Sequence, residues 1–318
     1  MSLSRRDFLA RSAVAIGATS FGQAAILRAL QQTQAPPAAP QQQPPAWTPT
    51  FTPIRRNVGF YMGRGGTIGY LIDKGAVVVV DSQFPDSAKP CLDGLNERSN
   101  NRGVDLLINT HHHGDHTGGN VVFKGAKRIL AHARAVELHK EVAARPARAG
   151  QTPVEQVFAG HTFPDVWREQ IGDEWVRAKF HGRAHTSGDA VITFERANVA
   201  HMGDLMFNRR HAVVDRPAGA SMKNWIVVLE AAMKEHSNDT IYIFGHGGMN
   251  QPVTGPRADL MHFRDYLTAL LAFVQAEIKA GKTREAILET KTPLQGFEAH
   301  GPLTATILGN AYDDLTVM

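Results

Sequence analysis

Residues 110–119 read T-H-H-H-G-D-H-T-G-G. In an extended segment alternate side chains share a side, so His111, His113 and Asp115 face one way with His116 adjacent. Imidazole nitrogens and a carboxylate presented together are transition-metal ligands, and a segment this dense can feed two ions at once. The chemistry open to the cluster is therefore that of bound metal. A histidine-rich surface loop has similar composition, but the Asp-His pair followed in register by Gly118 and Gly119 argues against it.

The surrounding pattern puts this cluster at the end of a strand. Residues 58–72 read as β-rich with a turn or flap at Gly65 and Gly66, and residues 76–80 form a continuous apolar run, as a strand buried on both faces should. A helix is predicted over 85–98, then a strand over 105–109 that runs directly into the histidines. Open α/β sheets place their sites at such strand ends. A strand at 127–131, a helix at 134–144 and a polar loop to about Phe163 follow. Further strands are predicted at 176–180, 190–194 and 199–202. Met222, Trp225, Ile226, Leu229 and Met233 keep helical spacing, and a strand at 240–244 delivers Gly245-His246-Gly247, which makes a second ββα half. An apolar stripe from Phe263 to Ile278, closed by Gly281, is a packing helix, with shorter helices at 284–290 and 303–315.

With these motifs in place, the stretch from about Val58 to Gly248 resembles the metallo-β-lactamase superfamily, whose signature is H-x-H-x-D-H. The resemblance implies an α/β fold, a four-layer αββα sandwich with C-terminal helices. It implies that Asp81, closing a strand, braces the histidine loop. In G-R-A-H-T-S-G-D, His185 matches the family's third histidine and should complete one imidazole triad with His111 and His113. In H-M-G-D-L-M-F, Asp204 matches the bridging aspartate of the glyoxalase II-like branch. His246 should then join Asp115, His116 and Asp204 around the second metal.

The implied cofactor is a pair of divalent ions. Nitrogen and oxygen ligands without sulfur suit zinc first, and leave iron or manganese open. A bridging hydroxide is the implied nucleophile, since metal lowers the pKa of bound water to about 7, and Asp115 is the implied catalytic proton shuttle. The expected reaction is hydrolysis of an acyl bond (ester, thioester or lactone) in a small-molecule substrate. A zinc β-lactamase is the alternative, against which the Asp204 position counts. A di-iron redox protein is disfavoured because His113 occupies the place where those relatives carry glutamate. A non-catalytic metal-binding module is disfavoured by the completeness of both ligand sets.

The remaining histidines lie outside that set. His112 occupies a variable motif position and is expected to point away from the metals. His132, His181 and His201 flank strands and read as structural, while His139, His161, His236, His262 and His300 read as surface or packing residues. Asn208 and His211 are candidates to face substrate.

Four regions are expected along the 318 residues. Residues 1–30 resemble a twin-arginine signal peptide, with S-R-R-D-F-L and a short Gly/Ala-rich apolar run. The implied partner is the twin-arginine export machinery, and the implied location is periplasmic or secreted. Residues 31–54, rich in Gln, Pro and Ala, read as a linker. Residues 55–255 form the metallo-β-lactamase domain, and 256–318 a helical extension packed on it. The apolar run is too short for a stable membrane span, which needs about 20 residues.

Composition is globular, with 43% hydrophobic and 20% charged residues. The net charge of +4 and pI near 9.2 come from scattered arginines without a basic stripe, which argues against nucleic acid. One cysteine, Cys91, excludes both an internal disulfide and a thiolate cluster. Oligomeric state is left open by the sequence.

Overall fold

The computed structural model describes residues 48–146 and 155–317. The expected signal peptide, most of the linker and part of the loop after Arg145 lie outside the described residues. A seven-stranded sheet runs in spatial order β1 (Thr50–Arg55), β2 (Val58–Met62), β3 (Ile68–Ile72), β4 (Val77–Val80), β5 (Leu106–Asn109), β6 (Ile129–His132), β7 (His161–Phe163). Its first four strands are antiparallel neighbours, and β4 to β7 are parallel.

A six-stranded sheet is ordered β15 (Thr254–Gly255), β13 (Ile241–Ile243), β11 (Val199–His201), β10 (Ala190–Phe194), β9 (Glu174–Phe180), β8 (Val166–Ile171). The two-residue strands β12 (Phe207–Asn208) and β14 (His246–Gly247) pair separately. The helices are α1 (Pro85–Arg98), α2 (Gly114–Thr117), α3 (Ala133–Ala143), α4 (Met222–Glu235), α5 (Arg257–Lys279), α6 (Arg284–Leu288) and α7 (Ala305–Thr316).

Side-chain alternation explains the layering. In β4, Val78 and Val80 enter the core between the two sheets, while Val77 and Val79 pack toward Ala88, Cys91 and Leu95 of α1. Both faces are covered, so the strand is apolar without a break. On the second sheet, Ile192 and Val199 face the inter-sheet core, whereas Val191 and Ala200 face a third core built with α4, α5 and α7. Helices outside each of two packed sheets give the αββα sandwich. Trp225, Phe263 and Tyr266 fill the helical side and are fully buried. The Cys91 thiol is fully buried and burial pushes its pKa up, as a small core residue rather than a reactive thiol would show.

Three strands depart from the sequence expectation. The stretch read as linker to residue 54 already contains β1, whose Phe51 packs on Tyr61 and Tyr70. Pro53 concealed it, yet proline is tolerated on an edge strand, and here the register shifts between Pro53 and Arg55. β7 closes what reads as loop, and β8 is the other sheet's edge, where alternate exposure leaves no apolar run.

Candidate metal centre

The loops after β4, β5, β9, β11 and β13 meet at one edge of the sandwich, where Ala190 donates its N–H to the Thr110 carbonyl at 2.8 Å and joins the sheets. Strand β5 ends at Asn109 and the chain turns into α2, so His111, His113, Asp115 and His116 project from one tight corner. His185 arrives from the β9–β10 loop. Its neighbour Asp189, fully enclosed, accepts from the Thr186 amide and hydroxyl at 2.7 Å each and sets that loop. Asp204 lies in the 3-10 turn Gly203–Leu205 after β11, and His246 follows β13.

All seven residues singled out in the sequence converge. Two groups of donor atoms form, His111, His113, His185 and Asp204 in one, Asp115, His116 and His246 in the other. Asp204 lies between them: its Oδ2 is 3.9 Å from His111 Nε2 and 3.5 Å from His185 Nε2, and its Oδ1 is 3.0 Å from His116 Nε2 and 3.3 Å from His246 Nε2. Asp115 Oδ2 completes the second group at 3.1 Å from His246 Nε2.

The nitrogens facing inward are set from behind. Thr110 Oγ1 donates to Asp81 Oδ2 at 2.8 Å, so it accepts from His111 Nδ1 at 3.0 Å and leaves His111 Nε2 without a proton. Asp81 Oδ2 also accepts from His116 Nδ1 at 2.7 Å, as a bracing role requires. The Val213 carbonyl accepts from His185 Nδ1 at 2.7 Å, freeing Nε2. His113 is turned the other way: its Nε2 donates to Asp215 Oδ2 at 2.8 Å, so its Nδ1 faces in. Phe207 stacks on the His246 ring at 5.6 Å. Such partners fix the tautomer and direction of metal-binding imidazoles.

This donor set fits divalent metal. His111 Nε2 is buried without a hydrogen-bond partner, and the unprotonated His113 Nδ1 and His185 Nε2 face each other at 2.9 Å, an arrangement that a shared cation relieves. Charge agrees. Burial lowers the pKa of His111 and of His185, aided at His111 by the charge of His116 and opposed at both by Asp204, so both are neutral donors. Burial also opposes charge on His116 and His246, but Asp204 leads the carboxylates that overcome it, raising His116 well above 6.5 and His246 to about 9. Burial would raise Asp115 and Asp204, yet His116 and His246 hold Asp115 at about 2 and Asp204 well below its ordinary range. The pocket is a field that demands cationic charge, which two divalent ions would supply.

Several residues have other places. His112 is buried, with Nε2 3.6 Å from Asp215 Oδ2, behind His113. Asn208 donates to the Pro252 carbonyl, and His211 sits between the Tyr266 hydroxyl and the Pro302 carbonyl, so both brace loops. His201 is buried, bonding the Thr67 carbonyl and the Gly203 amide. The sequence reading missed Thr110, Val213 and Asp215. The stretch around Asp215, V-V-D-R-P-A-G, carries only turn signals, and Asp215 indeed accepts from the Ala218 amide.

A model of the family described as "Metallo-beta-lactamase superfamily" matches residues 62–246. The 2,4-dinitroanisole O-demethylase subunit alpha of Nocardioides sp. (strain JS1661) is 29% identical over 165 residues, 51% of this chain and only 48% of that relative, so the match spans about half its length. The metallo-beta-lactamase type 2 of Bacillus cereus is 24% identical over 218 residues, 67% of this chain and 78% of its own. Among solved structures, the metallo-beta-lactamase from Pontibacter korlensis superposes with a TM-score of 0.59 at 17% identity, covering 70% of this chain and 99% of that one. Matched by the family model over more than half its length and folded as such enzymes are, the chain belongs to the metallo-beta-lactamase superfamily of metal-dependent hydrolases.

Proposed function

We propose that this chain is an exported hydrolase with two divalent ions, of the glyoxalase II-like type with a bridging aspartate, acting on an ester, thioester or lactone. The observation that carries the reading is Asp204, whose two carboxylate oxygens each face a different donor group. His111, His113 and His185 would hold one ion; Asp115, His116 and His246 the other, with Asp204 shared. Zinc suits these ligands first. When bound, such ions polarise a carbonyl oxygen and make water acidic enough to attack at neutral pH.

The chain's own groups divide the remaining work. Asp204, with 4% of its side chain exposed, is enclosed, whereas Asp115 has 29% exposed. Asp115 is thus the more accessible of the two carboxylates, and the one suited to take up and return a proton. Gly66 and Thr67 wall the other side: the Gly66 amide donates to the Asp115 carbonyl and the Thr67 amide to the Gly245 carbonyl, each at 2.9 Å. The flap is thereby pinned to the loops of both Asp115 and His246.

A zinc β-lactamase is the second reading, favoured by the similarity to the Bacillus cereus enzyme. One experiment separates them: a chromogenic cephalosporin, an acyl-homoserine lactone and an acyl thioester are offered to protein of measured metal content. Faster turnover of the thioester or lactone supports the acyl reading, and preferential cephalosporin hydrolysis overturns it. Export rests on Arg5 and Arg6 in S-R-R-D-F-L. Replacing both by Lys should retain the protein in the cytoplasm, and unchanged fractionation refutes that route. Among the described residues no helix is long and apolar enough to cross a membrane.

A further inference from the structure

We infer that the C-terminal helix α7 is part of the support of the metal centre, with Asp314 a positioning residue for the ion at His111, His113 and His185. The inference rests on reading those three imidazoles as ligands. It concerns a helix outside the 62–246 stretch that the family model matches.

One short segment orients two of the three imidazoles. The Val213 carbonyl takes the His185 Nδ1 proton, and Asp215 Oδ2 takes the His113 Nε2 proton. Together these contacts decide that His185 Nε2 and His113 Nδ1 face each other, 2.9 Å apart. The segment itself is a loop and a 3-10 turn, Arg216–Ala218, belonging to neither sheet. Its ties to the His185 loop are three backbone bonds: Asp215 N–H to the His185 carbonyl at 3.2 Å, Ser187 N–H to the Ala218 carbonyl at 2.9 Å, and Ser221 N–H to the Ala184 carbonyl at 3.0 Å. The first two of those bonds join loop to loop, while Ser221, the N-cap of α4, ties only the His185 side to a helix and leaves the Val213–Asp215 stretch to be held otherwise.

Asp314 anchors that stretch to the last helix. Arg216 Nη1 donates to its Oδ1 at 2.5 Å, and the Lys223 amide, in the first turn of α4, donates to its Oδ2 at 2.9 Å. Only 4% of the Asp314 side chain is exposed, against 28% for Arg216. A carboxylate so enclosed is held in place by its counterion, because separating the two strands a charge away from water. The path therefore runs from the last helix through the Asp314–Arg216 ion pair, along the backbone from Arg216 to Asp215, and through the Asp215 contact to His113 Nε2, which leaves Nδ1 facing inward. Asp314 touches neither substrate nor metal in this arrangement. It acts by keeping the Val213–Asp215 stretch where two imidazoles need it.

The test uses full-length protein loaded with cobalt(II), whose visible spectrum reports each ion's coordination, together with chelator competition for the two ions. In Asp314→Asn and in Arg216→Gln, affinity at one ion should fall about 10- to 100-fold, the range for lost outer partners of a ligand. The other ion and the cooperative thermal transition should be kept. Because Asp215 lies on the same path, combining Asp215→Asn with Asp314→Asn should give less than the product of the single effects. A purely structural Asp314 would lower the melting temperature and leave the ratio of the two affinities unchanged, which overturns the inference. Equal loss of both ions also overturns it. If Asp314→Asn does not fold, Arg216→Gln decides alone. Wild-type protein that binds no cobalt refutes the ligand reading itself, a different failure from two bound ions with unaltered affinities in both variants.

Discussion

Gly66 lies against the ring of His116: a Cβ built at Gly66 falls 2.1 Å from His116 Cε1 and 2.4 Å from Nε2. The contact presses the flap between β2 and β3 onto the imidazole that Asp81 holds from the other side. Gly66 needs no left-handed backbone, so a substitution there meets the ring and not a forbidden φ. Gly66→Ala should push His116 out of line and weaken the ion shared by Asp115, His116 and His246 by about 10- to 100-fold. Metal analysis after partial chelation checks this, with stoichiometry expected to drop from two toward one. Two ions retained at wild-type affinity would show that the flap yields without cost.

Asp204 offers a sharper contrast. Each of its oxygens serves a different donor group, so Asp204→Ala should weaken both ions and abolish turnover together. Asp115→Ala removes a donor from the second group alone and should leave the first ion bound. Metal content and hydrolysis measured on both variants form the comparison. Full metal content with full turnover in Asp204→Ala refutes the bridging role.

Asp81 acts from behind the candidate ligands. It accepts from the Thr110 amide at 2.7 Å, from the Thr110 hydroxyl and from His116 Nδ1, and it is fully buried with φ of 65°. Asparagine tolerates that backbone region and matches the shape, whereas alanine strands three donors. Asp81→Ala should destabilise the fold by about 3–5 kcal/mol, as breaking a buried ionic contact does. Asp81→Asn should unfold later than that in urea yet still lose affinity at the ion near His116. Equal midpoints for the two variants would remove the distinction between strain and lost bracing.

The candidate donors were legible because each lies in a short motif at a strand end, where neighbouring residues are constrained with it. His111, His113, Asp115 and His116 share one six-residue corner, and His185 travels with Thr186 and Asp189, which set its loop. The bracing groups were not. Val213 contributes a carbonyl, which any residue carries, and Asp215 stands in a loop whose only visible logic is a turn. The same physics hid β1 and β8: edge strands with one side in water keep Pro53, Arg168 and Glu169 without penalty, so no apolar period marks them. Interior β4 and β5 have no such freedom and read plainly.

A pH-sensitive group lies away from the metal centre. His236, at the C-terminal end of α4, is buried, with Nε2 3.1 Å from the Thr193 hydroxyl and Nδ1 without a partner. Burial, then the charges of Arg177 and His181, lower its pKa from 6.5 to about 4, against the smaller pull of Glu235. The folded protein thus keeps this imidazole neutral where the unfolded chain would protonate it. Between about pH 6.5 and 4 the unfolded state binds the extra proton, so the contribution of His236 is complete above pH 6.5 and is lost as pH falls through that window. From pH 7 to pH 5 the loss should be about 1–2 kcal/mol. His236→Gln keeps a hydrogen-bonding group for Thr193 without a titration in this range. Urea midpoints at pH 7 and pH 5 should therefore fall less in the variant than in the wild type. Ligand imidazoles titrate in both proteins and cancel in the difference, so parallel losses in the two would refute a buried neutral His236.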